Sequence, residues 1–151
     1  MMLLSDIQKQ AARILEGAKE LRFAGLSVHM VDQSDAAAVY ADALAQSGTS
    51  VGVLPAEARF RPDSDGPVTE DGGVTLRVNV SEPIELSRAQ GVPPVTEISE
   101  TVAALLHSQN HPDRKDDVPL GISEITIVPD KELFILQVIC KATGQLSTLQ
   151  Q

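Results

Sequence analysis

Residues 74–81 alternate strictly between apolar and polar side chains. Valine or leucine occupies the even positions, and threonine, arginine, asparagine and serine occupy the positions between them. Because successive side chains of a β-strand point to opposite faces, this period of two predicts a strand with one face in a hydrophobic core. Pro83 follows and is expected to end the strand. The chain therefore needs a sheet, and its other elements must cover the apolar face of that sheet.

The rest of the chain supplies helices and further strands. Apolar residues recur at helical spacing near the N-terminus and again after Thr96, and short apolar runs bounded by glycine or proline predict additional strands. This order predicts one α+β domain over residues 1–151, with a mostly antiparallel sheet and helices packed on one face. The expected elements are a helix at 7–21, a strand at 26–31, a helix at 36–46, strands at 50–54 and 74–81, a helix at about 96–107, and a hairpin of strands at 122–128 and 133–140.

Two long segments, 55–73 and 84–95, interrupt the periodic pattern. Both are rich in proline and glycine and have no sustained periodicity, so we expect exposed loops there and a mobile tail at 144–151. Long loops inside compact domains usually serve a function, which makes their arginine and aromatic residues candidate contacts with another copy or a partner. These candidate interface residues are Arg59, Phe60, Arg61 and Arg88.

The last predicted strand, residues 133–140, is apolar on both faces. A strand with one face exposed to solvent usually has polar side chains on that face. A strand that is apolar on both faces therefore indicates either a central position in the sheet or burial in a subunit interface. The sequence leaves both explanations open. The interface explanation adds Phe134, Leu136 and Val138 to the candidate interface residues.

Charge and composition exclude several classes of protein. The chain has 21 acidic and 12 basic residues, and its formal net charge of −9 has the wrong sign for general nucleic-acid binding. Three Phe, one Tyr and no Trp are too few for base-stacking platforms. No apolar run approaches the roughly 20 residues that span a bilayer, and the first residues lack the features of a signal peptide. We therefore expect a cytoplasmic chain without membrane contact. Cys140 is its one cysteine, which excludes an internal disulfide.

Two local patterns are similar to catalytic or metal-binding motifs, but their context is wrong. Gly48-Thr49-Ser50-Val51-Gly52 has the letters of a hydrolase nucleophile elbow, which joins a strand to a helix, whereas here a predicted helix precedes a strand. His107 and His111 have metal-ligand spacing, but Pro112 is expected to follow the end of the helix. His29 falls on the polar side of its strand, where we expect it to be solvated. The sequence predicts no catalytic residue, no metal and no cofactor.

Several short sequence segments match one family in their order and spacing along the chain. They are residues 28–33 (Val-His-Met-Val-Asp-Gln) before an alanine-rich segment and Gly48, residues 51–55 with Ala58, residues 74–83, and residues 95–107. In this layout the chain resembles the phage tail terminator-like proteins, minor tail or head-tail joining proteins of long-tailed bacteriophages. The resemblance covers roughly residues 26–107, and the final hairpin agrees in type.

The chain departs from that family after the third strand. The relatives have an asparagine-proline-x-x-asparagine-arginine string there, then a glycine-rich loop and a helix that ends in alanine-leucine-histidine-glycine. Pro83 and Arg88 keep the proline and the arginine, the asparagines are missing, and residues 90–94 form a proline-rich replacement. The resemblance therefore depends on the order of the predicted elements and not on a motif of catalytic residues.

The resemblance implies a structural role. The family assembles as a homo-oligomeric ring, typically a hexamer, which caps the tail tube, stops its polymerisation and joins the tail to the head connector. The implied partners are further copies of the chain, the tail tube protein and the head-tail connector protein, and the implied location is the head-proximal end of the virion tail, after synthesis in the host cytoplasm. No specific nucleic-acid binding is implied, and an acidic protein would repel DNA that passes through the channel.

Other functions stay open at this stage. A head-tail connector or tail completion protein has similar size and symmetry. A cytoplasmic adaptor could bind a peptide by adding it to an exposed sheet edge. A small hydrolase would need the nucleophile elbow or the two histidines that the sequence context disfavours.

Overall fold

Strand β4 (Thr69–Pro83) is the longest described element and pairs along both of its edges. The computed structural model describes residues 4–23, 26, 28–31, 48–63, 65, 69–84, 92–108, 111–114 and 116–142. The other elements in these ranges are helices α1 (Leu4–Glu16), α2 (Lys19–Phe23) and α3 (Val95–Leu106), and strands β1 (Val28–Met30), β2 (Ser50–Val53), β3 (Glu57–Phe60), β5 (Leu120–Val128) and β6 (Leu133–Ala142).

The six strands belong to one sheet in the order β1-β2-β4-β6-β5. β3 pairs with the first part of β4, on the edge that pairs with β2 further along. β1 and β2 run parallel, and the other described pairs are antiparallel. The prediction of an α+β fold with a mostly antiparallel sheet is confirmed.

The core lies between helices α1 and α3 and one face of the sheet. The even-numbered residues of β4, which the alternation assigned to the core, pair with the even-numbered residues of β6, so both strands present apolar side chains to the same side. The helices supply residues at three- and four-residue spacing. The fully buried large side chains include Ile7 and Leu15 of α1, Leu76, Val78 and Val80 of β4, and Ile98 and Leu106 of α3.

Two buried glutamines of α1 attach this helix to the sheet. Gln8 Nε2 donates a hydrogen bond to the Val53 carbonyl oxygen at 3.1 Å. Gln10 Nε2 donates to the Val118 carbonyl oxygen at 3.0 Å, and Gln10 Oε1 accepts from the Val118 N–H at 2.9 Å. One side chain therefore satisfies both backbone groups of a residue in the segment that leads into β5, as buried or half-buried backbone groups require.

On the other face of the sheet, two polar side-chain pairs connect β4 with β6. Gln137 Nε2 donates to Asn79 Oδ1 at 2.8 Å, and Lys141 Nζ donates to Thr75 Oγ1 at 2.7 Å. These pairs lie directly across the two strands, which places their side chains on the same face. The alternation of residues 74–81 thus assigned both faces of β4 correctly.

The prediction of a loop without regular structure over residues 55–73 is wrong. The segment contains β3 and the first residues of β4, which pair antiparallel. Ala58 pairs with Val74, but Phe60 pairs with Thr69, so the register shifts by several residues within this short ladder. The shift breaks the period of two, and for this reason the sequence pattern missed the strands.

The long N-terminal helix is also interrupted. Helix α1 ends at Glu16, and α2 begins at Lys19, whereas the apolar spacing predicted one helix through residue 21. Gly17 supports the break because glycine is a poor helix former. The predicted helix at 36–46, Arg88, most of the segment at 84–95 and the tail at 144–151 lie outside the described residues. Among the helices that are described, none has the length and apolar character needed to cross a membrane.

The Gln10 contact yields a stability prediction. Gln10→Met keeps the unbranched shape of the side chain but removes both hydrogen bonds to Val118, so we expect the free energy of unfolding to fall by about 1–3 kcal/mol. Lys9→Met is the matched control, because Lys9 is exposed on the same helix, and we expect it to change stability by less than about 0.5 kcal/mol. Urea denaturation followed by circular dichroism measures both; equal losses would contradict the role of Gln10.

Candidate assembly interface

Arg59, Phe60 and Arg61 lie at one end of the sheet, and we call them the β3 arm. All three residues are exposed. Phe60 is 37% exposed, whereas Phe134, the other phenylalanine with a described side chain, is half-buried and packs against the core. The arm thus presents an accessible aromatic ring with an arginine before and after it in the sequence, and aromatic and arginine side chains are both frequent in protein–protein contacts.

Gly73 permits the irregular pairing that carries the β3 arm. A Cβ atom at this position would lie 2.8 Å from the Arg59 carbonyl oxygen and 2.7 Å from the Glu70 carbonyl oxygen. Both distances are shorter than real Cβ contacts, and both neighbours are backbone atoms that cannot turn away. The close approach of β3 to this bend in β4 therefore requires a residue without a side chain.

The opposite end of β4 meets the turn between β5 and β6. The Ile84 N–H donates to the Glu132 carbonyl oxygen at 3.0 Å. Asp130 Oδ2 accepts from the N–H groups of Glu132 and Leu133, both at 2.9 Å, which fixes the turn. We call this region the hairpin end and define it as Pro83, Ile84, Lys131 and Glu132.

The hairpin end encloses an open cavity of about 300 Å³. Pro83 and Ile84 give it apolar walls, and Lys131 and Glu132 add one charge of each sign. Ile84 is 60% exposed, a large value for a side chain of this size and polarity. The cavity therefore combines accessible apolar surface with charged groups that could orient a partner.

A β-bulge places two further apolar side chains on the surface of β5. Before the bulge Ile122 pairs with Cys140; after it Ile125 pairs with Val138 and Ile127 with Leu136. The extra residue transfers the inward-facing positions from even to odd numbers. Ile125 and Ile127 share the face of buried side chains but are 38% and 62% exposed. This edge strand thus adds an apolar patch close in sequence to the hairpin end.

The β3 arm and the hairpin end are far apart within one chain. They contact the first and last parts of β4, and β4 has 15 residues. At about 3.3 Å per residue, less the bend near Gly73, the two surfaces are roughly 40 Å apart. Both surfaces can therefore be engaged at the same time by two different neighbours.

The residues proposed from sequence as interface candidates are distributed unevenly. Arg59, Phe60 and Arg61 are exposed, and Arg88 lies outside the described residues. Leu136 and Val138 are 8% and 0% exposed and belong to the core of this chain, so they are not available at its surface. β6 lies between β4 and β5, so of the two positions that the sequence left open for this strand, the described sheet has the central one.

Sequence reasoning did not find the hairpin end. Ile84 follows Pro83 at the end of a predicted strand, and Glu132 lies in a predicted turn, so each residue separately has an ordinary local explanation. Only the sheet brings residues 83–84 and 131–132 together. The sequence signal for this surface was weak: Ile84 is an apolar residue at the end of a strand, and it belongs to no apolar pattern that would predict its burial.

The pattern that is similar to a nucleophile elbow forms no such elbow. Gly48 has a φ of 77°, a conformation that favours glycine, and two residues later Ser50 begins β2. Ser50 is 1% exposed and pairs with Ser81 of β4. An elbow needs an exposed serine at a strand-to-helix turn, so this serine does not have the position of a nucleophile.

The two histidines with metal-ligand spacing serve local hydrogen bonding. His107 Nδ1 accepts from the Ile122 N–H at 3.1 Å, and His111 Nε2 lies 3.0 Å from the Ala104 carbonyl oxygen. In the described part of the chain, no three His, Cys, Asp or Glu residues are grouped to hold a metal ion. Burial raises the pKa of the Cys140 thiol to about 12, so this thiol stays protonated near neutral pH.

His29 is buried, and the prediction that it is solvated is wrong. Its side chain is 8% exposed and faces Gly52 across the parallel β1–β2 pair. A Cβ atom on Gly52 would lie 3.3 Å from His29 Nε2 and 2.9 Å from Val31 Cγ2, so the glycine makes room for both side chains. Burial lowers the pKa of His29 below its usual value of 6.5, because it disfavours the charged imidazolium.

Comparison of the chain with protein-family models and with curated proteins found no match.

The close contact at Gly73 yields a local prediction. Gly73→Ala adds a methyl group against two backbone oxygens, and overpacking of this kind costs about 1–3 kcal/mol. We expect β3 to separate from β4 more often, and tryptic cleavage after Arg59 to rise by about 10-fold. Gly17→Ala is the matched control, since its Cβ would approach no atom closer than 3.3 Å. Mass spectrometry of the digest measures both variants, and equal cleavage rates would contradict the structural role of Gly73.

His29 yields a pH prediction. Because its pKa is lower in the folded than in the unfolded chain, its contribution to stability is complete above pH 6.5 and is lost as the pH falls below that value. We expect His29→Gln to reduce the loss of unfolding free energy between pH 7 and pH 5. His111→Gln serves as the control. Urea titrations at four pH values measure the slopes, and parallel profiles for wild type and His29→Gln would contradict the assignment.

Proposed function

We propose that this chain is a structural protein of a long-tailed bacteriophage: a tail terminator-like subunit that forms a ring on the finished tail tube, ends tube polymerisation and joins the tail to the head connector. One observation carries the proposal. The chain has two exposed surfaces of different chemistry, the β3 arm and the hairpin end, at opposite ends of its longest strand.

Two different surfaces on one chain suit a closed ring. In a ring of identical subunits each copy uses one patch to contact the next copy and another patch to contact the previous one. A symmetric dimer would instead use the same patch twice. The spacing of roughly 40 Å between the arm and the hairpin end leaves room for a neighbour on each side.

The strings that resemble the tail terminator-like family also support the proposal. Residues 51–55 include most of β2, residues 74–83 lie in β4, and residues 95–107 contain α3. These are the elements that build the core and position both exposed surfaces. The resemblance therefore involves the parts of the chain that determine the fold.

The net charge of −9 fits a conduit for DNA. An acidic surface repels the phosphate backbone, so DNA can pass without being retained. A protein that grips DNA would require the opposite sign.

A tube-length assay tests the proposed function. We expect the purified chain, added to polymerising tail tube protein from the phage or prophage that encodes it, to shorten the tubes in proportion to its concentration. Negative-stain electron microscopy measures tube length and would show a ring at one tube end. Glu100→Arg, an exposed change on α3, is expected to act like wild type.

Two results would count against the proposal. Unchanged tube lengths at molar excess, without density at tube ends, would overturn the terminator function. Binding to the head-tail connector protein without any binding to tubes would favour the alternative of a connector or tail completion protein.

A further inference from the structure

We infer that two copies of this chain join through the outer edges of their β5 strands, which pair antiparallel about a two-fold axis at Thr126. The contact continues the sheet of one copy into the sheet of the other, in the strand order β6-β5-β5-β6. The pairing residues belong neither to the β3 arm nor to the hairpin end, so the inference goes beyond the proposed function.

Strand β5 forms the longer of the two edges of the sheet. Among the described strands it pairs with β6 alone, and it has nine residues, whereas β1 at the opposite edge has three. The outer backbone groups of an edge strand can pair with another strand, and proteins often prevent this with lysine, proline or a bulge. In β5 the bulge comes early. Residues 124–128 follow it, pair with β6 without interruption, and include neither lysine nor proline.

The apolar surface of the core continues into this edge. Val138 and Leu136 of β6 are buried, and they pair with Ile125 and Ile127 of β5. These two isoleucines are 38% and 62% exposed, although they lie on the face that the helices cover elsewhere in the sheet. A further strand beside β5 would remove their exposed surface from water.

The length of the regular segment selects a second copy of the same strand. The segment 124–128 has Thr126 at its centre, the bulge before it and Pro129, which has no N–H to donate, after it. Antiparallel pairing about Thr126 therefore uses all five residues of both copies. Residues directly opposite each other share a face, so the register can change only in steps of two, and each such step leaves three residues in the paired segment.

The side chains favour the same register. Pairing about Thr126 places Ile125 of each copy opposite Ile127 of the other, and cross-strand pairs of β-branched apolar residues stabilise a sheet. Glu124, the one charged residue of β5, lies opposite Val128 of the other copy. Parallel pairing in register would instead bring the two Glu124 side chains together. The segment is thus complementary to itself in length, apolar pairing and charge, as a two-fold contact between identical chains requires.

A cross-linking experiment tests the position of the axis. Thr126 faces Thr126 of the other copy, so we expect Thr126→Cys to form a disulfide-linked dimer under mild oxidation at least about 10-fold faster than Ser123→Cys. Ser123 is an exposed residue of the same strand, but across the axis it lies roughly 20 Å from its equivalent. Cys140 is buried and forms no cross-link. A non-reducing gel shows the dimer at twice the monomer mass of 16.1 kDa.

A charge-pair experiment tests the register without a covalent bond. Sedimentation velocity measures association of wild type, Ile125→Lys, Ile127→Glu and the double variant. We expect each single change to weaken association by at least about 10-fold, because it buries an unpaired charge. The double variant places lysine opposite glutamate twice and should associate at least about 5-fold more tightly than either single variant. A register centred on residue 125 or 127 would instead oppose like charges and give no rescue.

Ile84→Lys is the matched control for the charge-pair experiment. Ile84 is an exposed isoleucine outside β5, and we expect its replacement to leave the association of two copies within about 2-fold of wild type. Circular dichroism checks that every variant is folded.

Three results would overturn the contact: a wild-type chain that stays monomeric up to about 1 mM, equal cross-linking at residues 123 and 126, or a double variant no stronger than the single ones. A strand of a different protein as the true occupant of this edge would give the first result. The tube-length assay is independent of these outcomes, so the two-fold contact and the terminator function can fail separately.

Discussion

The pairing of β4 with β6 is the interaction on which the rest of the structure depends. The two strands pair continuously from Thr75–Lys141 to Pro83–Leu133, and this register aligns the even-numbered apolar residues of both strands on one face. Helices α1 and α3 bury that face. A slip of β4 by one residue would turn its apolar side chains away from the helices, so burial of these side chains holds the register.

Two irregularities in this sheet decide what the surface presents. The register shift beside Gly73 lets β3 follow the bend of β4 and exposes Phe60 between two arginines. The bulge in β5 turns Ile125 and Ile127 toward the side of the core at a place where they stay partly exposed. Bulges break pairing locally and redirect side chains without disturbing the rest of a sheet. The exposed Phe60 and the exposed isoleucines of β5 are thus products of local geometry on a regular core.

Polar residues at the end of α3 have a structural task in this chain. Arg114 donates to the Leu105 carbonyl oxygen at 2.6 Å, one of the acceptors that a helix end leaves without an intrahelical partner. Ser108 and His107 accept from the N–H groups of Leu120 and Ile122, at the start of β5. Of the two histidines with metal-ligand spacing, His107 therefore joins the helix end to a strand, and His111 contacts a carbonyl oxygen of the helix itself.

The sequence by itself determined the α+β class, both faces of β4, and the strands and helix of the last third, because alternation and helical spacing record which side chains meet the core. It also identified Arg59, Phe60 and Arg61 as exposed. Only the tertiary structure decided that β6 is central, that Leu136 and Val138 are core residues, that His29 is buried against Gly52, and that residues 83–84 and 131–132 enclose a cavity. The reason is physical: periodicity reports the local environment of a segment, whereas strand order, bulges and cavities depend on which distant segments pair.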